Sequence, residues 1–319
     1  FRLVIDPHQD VWSRFTGGDG APGWTLEAVG FDLSRLHETG AAIVHALHGD
    51  PLPRLIWPTN ATKLAAATMF TLFFAGRDFA PWATIDGELA QEYLQQHYIG
   101  AMQAVARRLR GLDHVVGYDT MNEPLPGWIG WPDLAAGGGL RLGPSPTPYQ
   151  AMLLGAGYPQ EVEIWGLGLR GPRRRGMGWL NPHGLRAWRE GGDCVWQRHG
   201  VWDLGGDGKP KLLRPHYFSA VGGRPVDFGH DYYRPFANRY ARAIRAVDSE
   251  ALIFIETEPG QPPPQWSAED AQNIVYAPHW YDAYILALGR YTPWLAVDSR
   301  NLRLVWGPGR IRRSFAQQV

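Results

Sequence analysis

An amide and a carboxylate stand side by side at Asn122-Glu123, directly ahead of Pro124 and at the end of the apolar run from His114 to Met121. Proline has no N–H to give to a strand ladder, so the run should stop there and hand Glu123 to a loop. A carboxyl group so placed can give a proton to a glycosidic oxygen and later take one from water, while the amide holds a sugar hydroxyl. A strand-end glutamate also serves as a plain surface cap, so the tripeptide needs company. His8 and Asp10, Glu256 and Glu258, and His279 and Tyr281 each follow another apolar stretch. Gathered on one rim, they would form a pocket of carboxylates, imidazoles and a phenol. Glycoside hydrolysis needs two carboxyl groups flanking the bond, one kept protonated by burial or by a like charge. Strand position alone makes Glu256 the candidate for the second.

A divalent ion held by His8-x-Asp10 with His279 is the rival arrangement. The chain contains no HExxH, no HxH, no cysteine pair and no GxSxG elbow, which leaves metal-dependent and serine-type hydrolysis with little support. Gly166-Leu-Gly-Leu-Arg-Gly171 matches the spacing of a dinucleotide loop. Pro172 and three arginines follow where a helix should open, so the match is read as chance.

The elements that must position these groups alternate in type. Strands are expected at Phe1–Asp6 (buried), His114–Met121, Ala251–Ile255 and Asn273–Ala277, and helices at 63–76, 88–112, 232–247 and 307–319. Strand alternating with helix, with polar residues after each strand, is the layout of a (β/α)8 TIM barrel. About four strands and their helices are legible, so the barrel is incomplete, with a long irregular insertion over 125–230. Residues 1–319 read as the central part of one catalytic barrel domain.

Composition adds bounds. There are 31 basic and 31 acidic residues, so nothing points to nucleic acid as a partner. No apolar run approaches the roughly 20 residues of a membrane-spanning helix. Cys194 is the single cysteine, which excludes an internal disulfide and favours an intracellular setting. The chain has 15 Trp, 13 Tyr and 12 Phe, and indole faces suit the C–H faces of sugars, as they also suit a core. The run Arg173-Arg174-Arg175 reads as a solvated basic face.

Four stretches carry a resemblance: Ile5-Asp-Pro-His-Gln-Asp-Val-Trp-Ser-Arg14, Ala67-Thr-Met-Phe-Thr-Leu-Phe-Phe-Ala-Gly76, Gly117-Tyr-Asp-Thr-Met-Asn-Glu-Pro124 and Val275-Tyr-Ala-Pro-His-Trp-Tyr-Asp282. The chain resembles glycoside hydrolase family 5, in the endoglycoceramidase-related branch of glucosylceramidases and steryl β-glucosidases. The resemblance implies a retaining β-glucosidase acting on glucosylceramide or a steryl glucoside, with no cofactor and at most peripheral contact with lipid. It implies Glu123 as acid/base, Asn122 on the sugar 2-hydroxyl, and His8 and Asp10 on glucose hydroxyls. His279 and Tyr281 would stand beside the nucleophile, the phenol donating to it. The family's nucleophilic Glu follows the His-x-Tyr motif, yet after Tyr281 the only acids are Asp282 and Asp298. The nucleophile is therefore expected beyond Val319 and the first barrel strands before Phe1, with Glu256 a pocket residue and Glu258 structural. Residues 64–76 and the aromatic insertion would line an aglycone channel, unless 64–76 is ordinary core. A non-catalytic carbohydrate-binding fragment or pseudoenzyme of the same fold is the alternative. Aglycone, compartment and oligomeric state are not legible.

Overall fold

A computed structural model describes residues 1–50, 57–168, 171–258, 261–282, 285–286, 289–298 and 303–317. Its first half runs β1 (Leu3–Ile5), α1 (Leu64–Phe79), α2 (Ala90–Leu109), β2 (Val115–Asp119), β3 (Gly143–Ser145) and α3 (Pro148–Gly155). Next come β4 (Gln160–Gly168), β5 (Gly171–Leu180), α4 (Arg234–Arg245), β6 (Leu252–Ile255), β7 (Ile274–Tyr276), β8 (Leu295–Asp298), β9 (Arg303–Trp306) and α5 (Pro308–Ala316). Strands β1, β2, β6 and β7 lie in that order in one sheet, every pair parallel. Ile5 is level with Tyr118, Phe254 with Asp119 and Ile255 with Tyr276, so the four strands finish together and their following loops share one rim. The protein is thus α/β, with a parallel sheet whose strands coincide with the four read from sequence.

Crossovers between parallel strands need helices, and here α1, α2 and α4 supply them, α2 packing against both of the others. Phe236 on α4 meets Phe73 and Phe74 on α1 edge-to-face, with ring centroids 5.1 and 5.4 Å apart. From Leu64 through Gly76 every residue of α1 is buried. That stretch is core, although Phe70 and Phe73 also face a cavity of about 400 Å³ bounded by α2 and residues 7–25. The hydroxyls of this helix are consumed locally: Thr71 Oγ1 donates to Ala67 O at 2.7 Å, and Thr68 Oγ1 accepts from Trp196 Nε1 at 2.9 Å.

Several expectations are corrected. Strand β1 is not buried: Leu3 and Val4 are 45% and 42% exposed, because it is the sheet's edge among the described residues. Helix α2 starts at Ala90 rather than 88, since Glu88 and Leu89 pair with Thr84 and Ile85 around an Asp86-Gly87 turn. Both turn residues have positive φ, the geometry that Asp-Gly favours in two-residue hairpins. The insertion is not irregular, because it holds α3 and the antiparallel sheet β3-β4-β5. Gly166 and Gly171, read as part of a chance dinucleotide match, belong to the two long strands of that sheet.

Lys63, just ahead of α1, is 2% exposed and gives its ammonium to Pro144 O at 2.7 Å. Burial lowers its pKa to about 8 from 10.5. Below pH 8 the folded protein must bury a charge that the unfolded chain leaves in water, and the penalty fades as pH rises from 8 towards 10.5. Lys63 should therefore add roughly 3 kcal/mol of stability across that window. Urea unfolding of wild type and Lys63→Met at pH 7.5 and 10 checks this: the gap between the two should shift in favour of wild type at the higher pH. Among the described residues no helix is long and apolar enough to cross a membrane.

Candidate active site

Strand β2 carries its active end close against β6. Gly117 makes that approach possible, since a Cβ there would stand 2.1 Å from the Leu252 carbonyl oxygen. Beyond Asp119 the chain leaves the strand but stays tied on both sides. Thr120 N donates to Phe254 O at 3.0 Å, Tyr98 Oη donates to Thr120 O at 2.6 Å, and Asn122 N donates to Pro7 O at 3.4 Å. Gln9, itself buried, gives its amide to the carbonyls of Asn122 and Glu123 at 2.8 and 3.2 Å. Asn122 returns the exchange through Nδ2 to Gln9 O at 2.7 Å. Held this way, Glu123 adopts φ +41°, the left-handed region that a non-glycine residue rarely enters. Such a conformation costs on the order of 1 kcal/mol and persists only where its surroundings impose it.

Those surroundings include Glu256, at the end of β6, whose Oε2 accepts the Glu123 N–H at 2.8 Å. The imidazole of His279 bridges the two glutamates, with Nδ1 2.9 Å from Glu123 Oε1 and Nε2 3.0 Å from Glu256 Oε1. Tyr281 Oη donates to the same Glu123 Oε1. Tyr233 supports Glu256 from behind, accepting its N–H at 2.9 Å and sharing a hydrogen bond with Thr120 Oγ1 at 2.8 Å. Strand ends β2, β6 and β7 thus bring Glu123, Glu256, His279 and Tyr281 into one hydrogen-bonded array.

The charges in this array are unevenly solvated. Glu256 is 2% exposed and Asp119 1%. Burial raises Asp119 strongly, with the Glu256 charge adding to it. Among the described residues neither carboxyl oxygen of Asp119 has a hydrogen bond of ordinary geometry, and the nearby Thr120 N–H only partly favours the charge; as an acid Asp119 has an O–H to offer Glu256. Burial also raises Glu256, but the Glu123 N–H, Asp119 and the His279 charge pull it back. Of two neighbouring buried carboxyls only one can ionise easily, so the proton stays on Asp119 and Glu256 is the anion. Burial alone would lower His279, yet its hydrogen bond to Glu123 and the Glu256 charge outweigh that and raise it. Tyr281 is raised by burial and by its bond to Glu123, so it remains a phenol and a donor.

His8 and Asp10 form a second group. His8 Nε2 lies 3.3 Å from Asp10 Oδ2 and 3.6 Å from Asp19 Oδ1. Burial raises Asp10, against the pull of His8, and Glu123 is near enough to add to the rise. Glu258 is likewise raised by burial and then by the Glu123 charge, so it borders the site rather than standing apart from it.

Comparison with known proteins places this geometry. No family model matches the chain. The glucosylceramidase of Rhizopus delemar is 44% identical over 291 residues, spanning 88% of this chain and 42% of that protein. The ergosteryl-β-glucosidase of Saccharomyces cerevisiae is 32% identical, over 99% of this chain and 48% of that protein. The crystal structure of Cryptococcus neoformans sterylglucosidase 1 superposes over the whole of this chain and 50% of its own, with a TM-score of 0.93 and 35% identity. The chain is thus similar to glucosylceramidases and sterylglucosidases of glycoside hydrolase family 5. It spans under half the length of the curated relatives it matches.

Two site readings change. The Tyr281 phenol, expected on a separate nucleophile, donates to Glu123. His279 does not join His8 and Asp10: its possible ligand neighbours are Asp6 and Glu256, whereas His8 groups with Asp10 and Asp19. The three-residue metal site proposed as a rival is therefore not assembled. Asn122 is 2% exposed and its amide nitrogen already serves Gln9. Reading strand ends alone missed Asp6, Asp119 and Tyr233. Asp6 brings a carboxylate oxygen within 4.8 Å of the Glu256 and His279 ligand atoms. Its signal was available, since it follows β1 by one residue. Tyr233 looked like one more aromatic of a helix, and only the packing aims its hydroxyl at β6.

Proposed function

We propose that this chain is the central part of a (β/α)8 catalytic barrel, and that the whole protein is a retaining β-glucosidase. Its substrate would be a lipid glucoside, glucosylceramide or steryl glucoside. The observation that carries the reading is Glu123, held in a left-handed turn at a parallel strand end and bonded by His279 and Tyr281. The names of its relatives support the substrate class.

In this reading Glu123 protonates the leaving glycosidic oxygen, and a second carboxylate attacks the anomeric carbon from the opposite face. Glu123 then takes a proton from water and glucose leaves with its β-configuration kept. His8 and Asp10 hold sugar hydroxyls, and Asn122 orients the loop and the 2-hydroxyl. Glu256 is a poor nucleophile, because Oε1 serves His279 and Oε2 serves the Glu123 N–H. We assign it to positioning and place the nucleophile outside residues 1–319. The reaction needs no metal and no other cofactor, nucleic acid is not a partner, and contact with lipid is peripheral.

Glucose release from vesicles containing glucosylceramide or steryl glucoside tests the proposal, using a chain that carries its flanking sequence to the relatives' full length. Turnover of one or both is expected, unchanged by prior treatment with a strong chelator. Loss of turnover on chelation would replace this mechanism by a metal-dependent one; binding without turnover would make the protein a carbohydrate-binding relative.

A further inference from the structure

We propose that Asp119 is a positioning residue of the acid/base array, a neutral carboxylic acid that gives its O–H to Glu256. It keeps that carboxylate an anion and so holds the charge of His279 beside Glu123; this role rests on the reading of Glu123 as acid/base. Asp119 closes β2 and lies level with Phe254 on β6. Glu256 comes two residues after Phe254, so the pleat turns both carboxyl groups to the same side of the sheet. Asp119 is 1% exposed and Glu256 2%, which leaves neither to water.

Glu256 has room for a third donor. A carboxylate offers about four acceptor sites, and two are in use: Oε2 takes the Glu123 N–H at 2.8 Å, and Oε1 faces His279 Nε2 at 3.0 Å. The hydroxyls nearby are committed elsewhere. Tyr233 Oη accepts the Glu256 N–H at 2.9 Å and shares a bond with Thr120 Oγ1 at 2.8 Å, while Tyr98 Oη donates to Thr120 O at 2.6 Å.

Asp119 has the opposite need. Among the described residues no ion pair engages it, and neither of its oxygens has a hydrogen bond of ordinary geometry. The Thr120 N–H beside it already goes to Phe254 O at 3.0 Å. The titratable groups that face it are acids and phenols: Asp6 after β1, Glu256 after β6, Tyr98 on α2, Tyr233 ahead of α4 and Tyr240 on α4. A carboxylate there would be a buried anion beside another anion with no counter-charge, which is costly. A carboxylic acid there is neutral and has a proton to give. Burial raises both carboxyls. Beyond that the Glu256 charge raises Asp119 further, whereas the Glu123 N–H and then Asp119 draw Glu256 back. Asp6 is exposed, so it can shed its proton to water far more cheaply than Asp119 can.

Infrared spectroscopy and pH–rate profiles of the full-length protein test the role together. At pH 7.5 wild type should show the C=O stretch of a protonated carboxylic acid that Asp119→Asn lacks. The band should move in Glu256→Gln, where an amide replaces the anion as its acceptor. On a soluble aryl glucoside, Asp119→Val keeps a strand-compatible side chain of similar size but no donor. Without that donor Glu256 takes up a proton more readily, and its charge is present only at higher pH. The variant should therefore lose kcat/KM by roughly tenfold or more at the acid end of the profile, the scale of one hydrogen bond to a charged group. It should converge on wild type at the alkaline end. Asp119→Asn, whose amide N–H can replace the O–H, should restore most of what Asp119→Val loses. An Asn variant as impaired as Val would mean that Asp119 acts as a charge, and a loss equal at every pH would mean that it only packs. Either result overturns the proposal, as does the absence of the band from wild type or its persistence in Asp119→Asn. If wild type turned over no glucoside, the reading of the active site would fail, and the band and its response to Glu256→Gln would still decide whether Asp119 holds a proton on Glu256.

Discussion

Glu123→Gln is expected to lower kcat on a lipid glucoside by roughly 10³-fold, the usual scale for losing a positioned general acid/base, with little change in KM. Glutamine keeps the shape of the side chain and an oxygen for the Tyr281 hydroxyl, so the turn at φ +41° and the fold should survive. What goes is the proton. A lipid alcohol is a poor leaving group and needs protonation, whereas a dinitrophenolate does not. The first step with a dinitrophenyl glucoside should therefore be nearly spared, and the glucosyl-enzyme should accumulate because no base activates water. Burst kinetics with that substrate read the accumulation directly. An equal loss on both substrates would mean that Glu123 holds the site together rather than moving protons.

The second large effect concerns Glu256. Its carboxylate faces His279 Nε2 at 3.0 Å while the other ring nitrogen faces Glu123 at 2.9 Å. His279 Nδ1 and Glu123 Oε1 are within hydrogen-bond distance, and the Glu256 charge favours the imidazolium on the other side of the ring. Removing an anion weakens proton binding, so Glu256→Gln should move the basic limb of the kcat/KM profile to lower pH, by about one unit or more. A raised histidine contributes stability that is present below its unfolded pKa and lost as pH rises through its folded one. The variant should therefore also lose that stabilisation at mildly acid pH. The pH profile separates this from loss of packing, which would scale activity down at every pH without moving a limb. A nucleophilic Glu256 would behave differently again, with activity lost throughout and rescued by azide as the inverted glycosyl azide.

The parallel sheet was legible because each of its strands is a short apolar run closed by a polar or proline signal, as at Asn122-Glu123-Pro124. The insertion was not. Strands β4 and β5 carry five glycines and a proline, as in Gly166-Leu167-Gly168 and Gly176-Met177-Gly178, and glycine and proline read as breakers when taken one residue at a time. Here Gly166 and Gly168 leave room for the Arg175 and Arg173 side chains to cross the ribbon. In the site, Glu123, His279 and Tyr281 could be found from position at strand ends. That Glu256 lies behind His279 could not, since a carboxylate at a strand end is equally suited to attack a sugar or to hold an imidazole. Only its two occupied oxygens separate these roles. Asp119 gave no signal either, because a strand residue one position before a threonine reads as an alternation slip until its burial against Glu256 is seen.

The most direct measurement is proton NMR of the first glucose released from a steryl β-glucoside or glucosylceramide by the full-length protein. The β-anomer should appear first and mutarotate afterwards, with no glucose from Glu123→Gln on the same timescale. Release of the α-anomer first, or equal release by the Glu123→Gln variant, would contradict the retaining mechanism built around Glu123.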